Sequence, residues 1–125
     1  GFVKDMVNLY KKTSIVCLPS YREGFSKTLQ EAAASGIPTV TTNAIGCKNA
    51  IISGKTGVLC KIKNVNSLEQ SLEKLIKDKR KRLIYGNNGR MLARKKFDLK
   101  DIIKKNLNIY RDLIFNEKTN FYSIK

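Results

Sequence analysis

The sequence predicts an α/β fold: a parallel sheet flanked by helices, followed by a helical C-terminal third. Three observations lead there. A short apolar run, Ser-Ile-Val-Cys-Leu-Pro at residues 14–19, ends at a proline, as strands covered on both faces do. An alanine-rich, helix-forming stretch and then a β-branched run follow it. Strand, helix and strand thus succeed one another within about 30 residues, the length of a right-handed βαβ unit. Beyond residue 60 the apolar spacing turns helical.

Each element can be justified in chain order. Val3, Met6, Val7, Leu9 and Tyr10 suggest a short helix leading into the first strand. Residues 20–26 form a polar loop containing Gly24. From Lys27 to Ser35 the residues favour helix, with Ala32, Ala33 and Ala34 at its end. Gly36 stops that helix and Pro38 follows. The β-branched residues 37–42 read as the second strand. Gly46 opens another loop, and residues 47–52 are expected to form a short helix. Gly54 and Gly57 frame a turn before a third strand, Val58-Leu59-Cys60. Leu68, Leu72, Leu75 and Ile76 then follow helical spacing, with Ser67 as the expected N-cap. Leu83, Ile84, Met91 and Leu92 mark a second helix, which Gly86 and Gly89 should weaken. A stripe of Leu99, Ile102, Ile103, Tyr110, Leu113 and Ile114 predicts a last helix from about 98 to 115, with Asp98 near its start. The tail, 116–125, is expected to be loose. A doubly wound sheet usually has five or six strands, so the remaining strands are expected upstream of Gly1.

Composition narrows the functional classes. The chain has 125 residues, enough for one domain, and is 42% hydrophobic with 8 Gly and 2 Pro, which suits a folded protein. It has no apolar run long enough to span a bilayer, and its first residues, Gly-Phe-Val-Lys-Asp, do not read as a signal peptide. Three widely spaced cysteines, Cys17, Cys47 and Cys60, and no histidine argue against a zinc site, a disulfide framework, or a Ser-His or Cys-His nucleophile. The cysteines read as buried thiols of a cytoplasmic protein. The net charge is +15 and lopsided. Residues 1–60 hold 7 Lys and Arg against 3 Asp and Glu, whereas residues 61–125 hold 18 against 7. That excess fits either a lysine-rich solvated surface or a face turned to anionic partners such as lipid headgroups. Basic residues are not interleaved with aromatics in the way that stacks bases, so no nucleic-acid partner is expected.

The chemistry concentrates in the loop and helix after the first strand. Ligands of open parallel sheets bind beyond the carboxyl ends of the strands, and a helix N-terminus offers free N–H groups and a favourable dipole to an anion such as phosphate. Gly24 would let a ligand approach the backbone. Glu23 and Glu31 are then unexpected, since carboxylates repel phosphate. They suit sugar hydroxyls, to which a carboxylate can accept bidentately. Glu31 lies about 6–7 Å along the helix axis from its first residue. One carboxylate in the loop and one on the helix could therefore hold two sugar rings with a diphosphate between them. The plainer alternatives are a turn residue at Glu23 and a solvated helix residue at Glu31.

The run Pro-Ser-Tyr-Arg-Glu-Gly-Phe-Ser-Lys-Thr-Leu-Gln-Glu-Ala-Ala-Ala-Ser-Gly-Ile-Pro, residues 19–38, resembles the Glu-x7-Glu motif of the retaining "group 1" glycosyltransferases, which have the glycosyltransferase-B fold. The resemblance continues through Thr41-Thr42-Asn43, Ile45-Gly46-Cys47-Lys48 and residues 51–59, and covers residues 1 to about 97. It implies a Rossmann-like sheet belonging to the C-terminal, nucleotide-sugar-binding domain over 1–125, with the acceptor domain upstream. It implies a hexosyltransferase of bacterial polysaccharide, lipopolysaccharide or glycolipid synthesis. In that reading Glu23 takes donor-sugar hydroxyls, and the N–H groups of Gly24, Phe25 and Ser26 face the sugar and diphosphate. Leu29 packs on the nucleoside, Glu31 holds the ribose hydroxyls, and Lys27 is a further phosphate candidate.

Ser26 departs from the Gly or Pro common in relatives, and Asn49 from a frequent Glu. The family's phosphate-clamping Arg and Lys would precede Gly1, so this stretch alone is expected to be inactive, with no catalytic residue assigned in it. The implied donor is a UDP-sugar, with no cofactor and no metal. The acceptor is a sugar or lipid-linked molecule reached through the upstream domain, and the expected location is the cytoplasm, peripherally on the inner face of the membrane. Two alternatives stand beside it. One is a non-catalytic basic module binding an anionic membrane or nucleic acid. The other is a nucleotide-sugar epimerase, although those enzymes usually use His.

Overall fold

In the computed structural model, residue 1 and residues 3–121 are described, the last six of these by backbone alone. The order is α1 (Met6–Lys11), β1 (Val16–Leu18), α2 (Lys27–Ala34), β2 (Thr39–Thr42), β3 (Gly57–Cys60), α3 (Val65–Ile76), α4 (Lys79–Lys96) and α5 (Leu99–Phe121). The three strands form one parallel sheet in the order β1-β2-β3. Val40 sits opposite Cys17 on one side and Val58 on the other. The expected parallel sheet, crossover helix and helical C-terminal third are all present.

Alternation along the strands builds two cores, one per face. Leu18 and Leu59 point to the face where Leu29 of α2 packs with Ala44, Cys47, Ala50 and Ile51. Val40 and Val58 point to the other face, under Leu68, Leu72 and Leu75 of α3 and Tyr85 of α4. Leu29, Val40 and Leu75 are completely buried, and each such side chain contributes about 1.5–3 kcal/mol of transfer free energy. Thr41 hydroxyl donates to the Leu18 carbonyl at 2.8 Å, and Thr42 hydroxyl donates to the Ser20 carbonyl. Buried threonines thus tie β2 to the end of β1, where the loop 20–26 begins.

Several local expectations change. β1 is only partly covered and Cys17 is exposed, whereas Cys47 and Cys60 are buried. The reason is cover: β1 and β3 are both sheet edges among the described residues, but α3 packs on β2 and β3. Residues 45–50 form turns, not a helix. α3 begins earlier than expected, because Asn64 is its N-cap and accepts from Ser67 N–H at 2.7 Å. Ser67 instead accepts from Lys61 N–H at 3.0 Å.

α4 runs unbroken through both glycines. A Cβ at Gly86 would stand 2.0 Å from the Gly36 carbonyl oxygen, so the glycine lets two backbones touch. Arg90 completes the contact by donating to the Ser35 carbonyl at 2.9 Å, beside the end of α2. Arg82 likewise donates to the Leu75 and Ile76 carbonyls, both at 2.7 Å, satisfying acceptors that a helix end leaves open.

The chain divides into two compact units, Gly1–Lys95 and Lys96–Lys125. The second is essentially α5, whose start is marked by Asp98 accepting from Lys100 N–H at 2.9 Å. Its backbone is helical through Phe121, further than the spacing alone indicated. The rest of the expected loose tail, 122–125, lies outside the described residues. No helix among the described residues is long and apolar enough to cross a membrane.

Candidate functional site

The candidate site grows from the carboxyl end of β1. The chain leaves the sheet at Pro19, turns through residues 20–26 and enters α2. Two interactions hold the loop from below and beside. Thr42 binds the Ser20 carbonyl, and Glu23 N–H donates to the Ile45 carbonyl at 3.1 Å. The second contact requires Gly46, whose φ is +83° and whose added Cβ would lie 1.7 Å from the Gly24 carbonyl oxygen. The loop around Gly46 is therefore pressed directly against the backbone of Glu23 and Gly24. The sequence marked Gly46 only as a loop start; its role depends on a close approach that no local pattern reveals.

Gly24 is the opposite case. A Cβ there would meet no atom within 4 Å, and its φ is not positive. Nothing among the described residues demands glycine at 24, so open space in front of this backbone is the property that glycine preserves. Glu23 is half-buried and accepts from the Ser20 hydroxyl at 2.7 Å, which fixes one carboxylate oxygen and leaves the other with acceptor capacity. Phe25 is exposed and Ser26 is buried.

Ser26 occupies the N-cap of α2, yet its side chain makes no capping hydrogen bond, and the first turn holds no acid. The N–H groups of that turn keep their capacity for an incoming acceptor, with the helix dipole behind them. Lys27 extends into solvent, and its ammonium lies 3.7 Å from Glu31 Oε1. Glu31 is one turn further along α2 and half-buried; its Oε2 accepts from the Tyr10 hydroxyl at 3.2 Å. Burial first, and then the Glu31 carboxylate, push the Tyr10 hydroxyl above its ordinary pKa, so it remains a donor.

The sequence-selected residues therefore fall into two sets. Glu23, Gly24, Phe25, Ser26 and Lys27 follow one another around the loop and the α2 N-terminus, with Glu31 on the second turn. Leu29 does not present a surface. It is sealed in the core beneath α2, because it lies on the helix face turned to the sheet. The expected nucleoside contact through Leu29 is corrected accordingly: its side chain anchors the helix that displays Glu31.

Sequence reading also missed a neighbouring hollow of about 450 Å³, whose walls include Tyr21, Thr42, Cys60, Lys61, Lys63 and Leu68. It opens beyond the ends of β2 and β3, and neither Glu23 nor Glu31 lines it. Lys63 Nζ stands 5.6 Å from the Tyr21 ring centroid, a cation–π distance. Taking the residues just past each strand end together would have pointed to this place. Among the described residues, no three His, Cys, Asp or Glu side chains cluster as a metal-ligand set.

Comparison with known proteins identifies the family. The family model "Glycosyl transferases group 1" matches residues 1–92. The capsular polysaccharide biosynthesis glycosyltransferase CapM of Staphylococcus aureus is 33% identical over 95 residues, covering 76% of this chain and 25% of CapM. The N,N'-diacetylbacillosaminyl-diphospho-undecaprenol alpha-1,3-N-acetylgalactosaminyltransferase of Campylobacter jejuni is 33% identical over 116 residues, 93% of this chain and 31% of that protein. Among solved structures, Anabaena Alr3699/HepE in complex with UDP and glucose superposes with a TM-score of 0.78 at 25% identity, over 90% of this chain and 30% of that one. The chain thus spans about a quarter to a third of the length of these curated relatives. Its sheet and flanking helices are those of the C-terminal part of a glycosyltransferase-B fold, and the chain belongs to the group 1 glycosyltransferases.

Proposed function

We propose that this chain is the donor-binding part of a retaining hexosyltransferase that uses a UDP-sugar in bacterial polysaccharide, lipopolysaccharide or glycolipid synthesis. The observation that carries the reading is the open, braced loop at 20–26 running into an uncapped helix N-terminus, with one carboxylate on each side. Glu23 accepts from donor-sugar hydroxyls. The N–H groups of Gly24, Phe25 and Ser26 and the α2 dipole meet the diphosphate, with Lys27 as an exposed counter-charge. Glu31 accepts from the ribose. As the glycosidic bond breaks, negative charge grows on the departing diphosphate, and preorganised N–H dipoles stabilise it. Neither glutamate serves as acid, base or nucleophile, and the donor needs no metal or cofactor. The family's occurrence with UDP in HepE and with an undecaprenol-linked substrate in the Campylobacter enzyme's name supports a UDP donor and a lipid-linked or saccharide acceptor. That acceptor would be held by a further domain.

Calorimetric titration with UDP tests the reading. Glu31→Ala should weaken binding by roughly 10-fold, as expected for a lost hydrogen bond to a charged group. Unchanged affinity would contradict it.

A second role concerns location, and α4 supplies the observation. Its 18 residues hold eight Lys and Arg and no acid. Its solvent side also exposes Leu83, Ile84 and Met91. A cationic face dotted with aliphatics suits peripheral attachment to an anionic membrane on the cytoplasmic side, and gives no base-stacking surface for nucleic acid. Co-sedimentation with anionic vesicles should fall steeply with salt and upon Arg80→Glu/Arg94→Glu. Equal recovery with neutral vesicles would refute the charge-based attachment.

A further inference from the structure

The Tyr10 hydroxyl touches Glu31 from outside the loop and helix so far assigned to the site. Tyr10 is the fifth residue of α1, a six-residue helix capped by Asp5, which accepts from Asn8 N–H at 2.9 Å. The residue as a whole is 8% exposed, so packing limits the movement of its side chain. A carboxylate on a helix surface normally samples several rotamers, and ordering a glutamate side chain costs conformational entropy. Two groups could restrain Glu31. Lys27 is the weaker, because its side chain is 88% exposed and 3.7 Å away, and exposed i,i+4 pairs are weak and screened by salt. Tyr10 arrives from a separate element, is buried, and donates to Oε2 at 3.2 Å. That distance is long for an O–H···O bond, so a partial restraint is expected.

Each carboxylate oxygen has about two acceptor sites. Tyr10 occupies one site on Oε2 and leaves capacity on both oxygens for a vicinal diol. We propose that Tyr10 is a positioning residue of the donor site: its hydroxyl holds the Glu31 carboxylate in the orientation that accepts both ribose hydroxyls. This rests on the reading of Glu31 as the ribose ligand. It adds that α1, outside the loop and helix of the site, sets affinity for the ribose specifically. Tyr10 touches no ligand in this arrangement and transfers no proton.

The test uses Tyr10→Phe, which keeps the ring and removes the hydroxyl. UDP and 2′,3′-dideoxyuridine diphosphate are titrated into the chain, with binding read from amide NMR shifts so that millimolar affinities are measurable. Tyr10→Phe should weaken UDP binding about 3- to 10-fold, the range of one hydrogen bond, and leave dideoxyuridine diphosphate binding unchanged. In the Glu31→Ala background, Tyr10→Phe should have no further effect on UDP. Equal losses for the two nucleotides, or additive losses in the double variant, would make Tyr10 merely structural and overturn the proposal. If Glu31→Ala weakens UDP binding and Tyr10→Phe does not, the positioning role alone falls. If Glu31→Ala changes nothing, or the unmodified chain does not bind UDP, the donor reading falls and the proposal with it.

Discussion

Thr39 and Gly46 show how differently single residues constrain this fold. Thr39 is buried at the start of β2, and its hydroxyl has no hydrogen-bond partner among the described residues. A buried polar atom left unpaired costs about 1–3 kcal/mol. Thr39→Val removes that atom at nearly constant shape, and thermal unfolding should show a gain of about 1 kcal/mol. Gly46→Ala should do the reverse. Its φ of +83° disfavours any side chain, and the new Cβ would overlap the Gly24 carbonyl. The expected loss is about 2 kcal/mol or more, accompanied by weaker nucleotide binding because the loop 20–26 must move. At this scale the sequence was partly legible. Glu23 and Glu31 stood out because acids are scarce in so basic a chain. Leu29 could not be placed, because position on a helix face depends on which side the sheet covers. Tyr10 lies 21 residues from Glu31, beyond the reach of any local pattern.

At the scale of elements, periodicity located every strand and helix of consequence, and tertiary contact decided the rest. α4 is the clearest instance. Gly86 lowers helix propensity by about 1 kcal/mol relative to Ala, which argues for a weakened helix. The structure keeps the helix intact because Gly86 admits the Gly36 carbonyl. Gly86→Ala should therefore destabilise despite its better propensity, by about 1–3 kcal/mol from overpacking, measurable by urea unfolding.

The start of α4 gives a pH signature. Asp78 accepts from Lys81 N–H at 2.8 Å and pairs with Lys81 Nζ at 3.1 Å. The backbone bond first, and then the Lys81 side chain, hold the Asp78 carboxyl below its usual pKa. A lowered folded-state value means that this stabilisation is present above the ordinary carboxylate pKa and lost as pH falls through the folded one. The Tm advantage of the unmodified chain over Asp78→Ala should accordingly shrink in strongly acidic solution. The helix expected at residues 47–52 does not form, although Cys47, Ala50 and Ile51 are apolar at helical spacing. They are apolar because turns place them in the core under α2.

At the scale of the whole molecule, the open parallel sheet does what such sheets do: it gathers loops at the carboxyl ends of its strands. The βαβ pattern made this legible, and the exposed edge at β1 was not, since burial on a second face depends on what lies beside the sheet. The proposed donor site occupies one set of these loops and the cationic face of α4 another side of the same unit. If the diphosphate is held by N–H groups and cations, chelation with EDTA should leave UDP affinity unchanged; a large loss would call for a metal.

The proposal that loop 20–26 and Glu31 receive the nucleotide sugar is open to one mapping experiment: amide chemical shifts of the chain recorded as UDP-glucose is added. Shifts should concentrate at residues 23–27 and at Glu31, with smaller ones near Gly46 and Tyr10. Shifts confined to the hollow by Lys61 and Lys63 or to α4, with residues 23–31 silent, would contradict it.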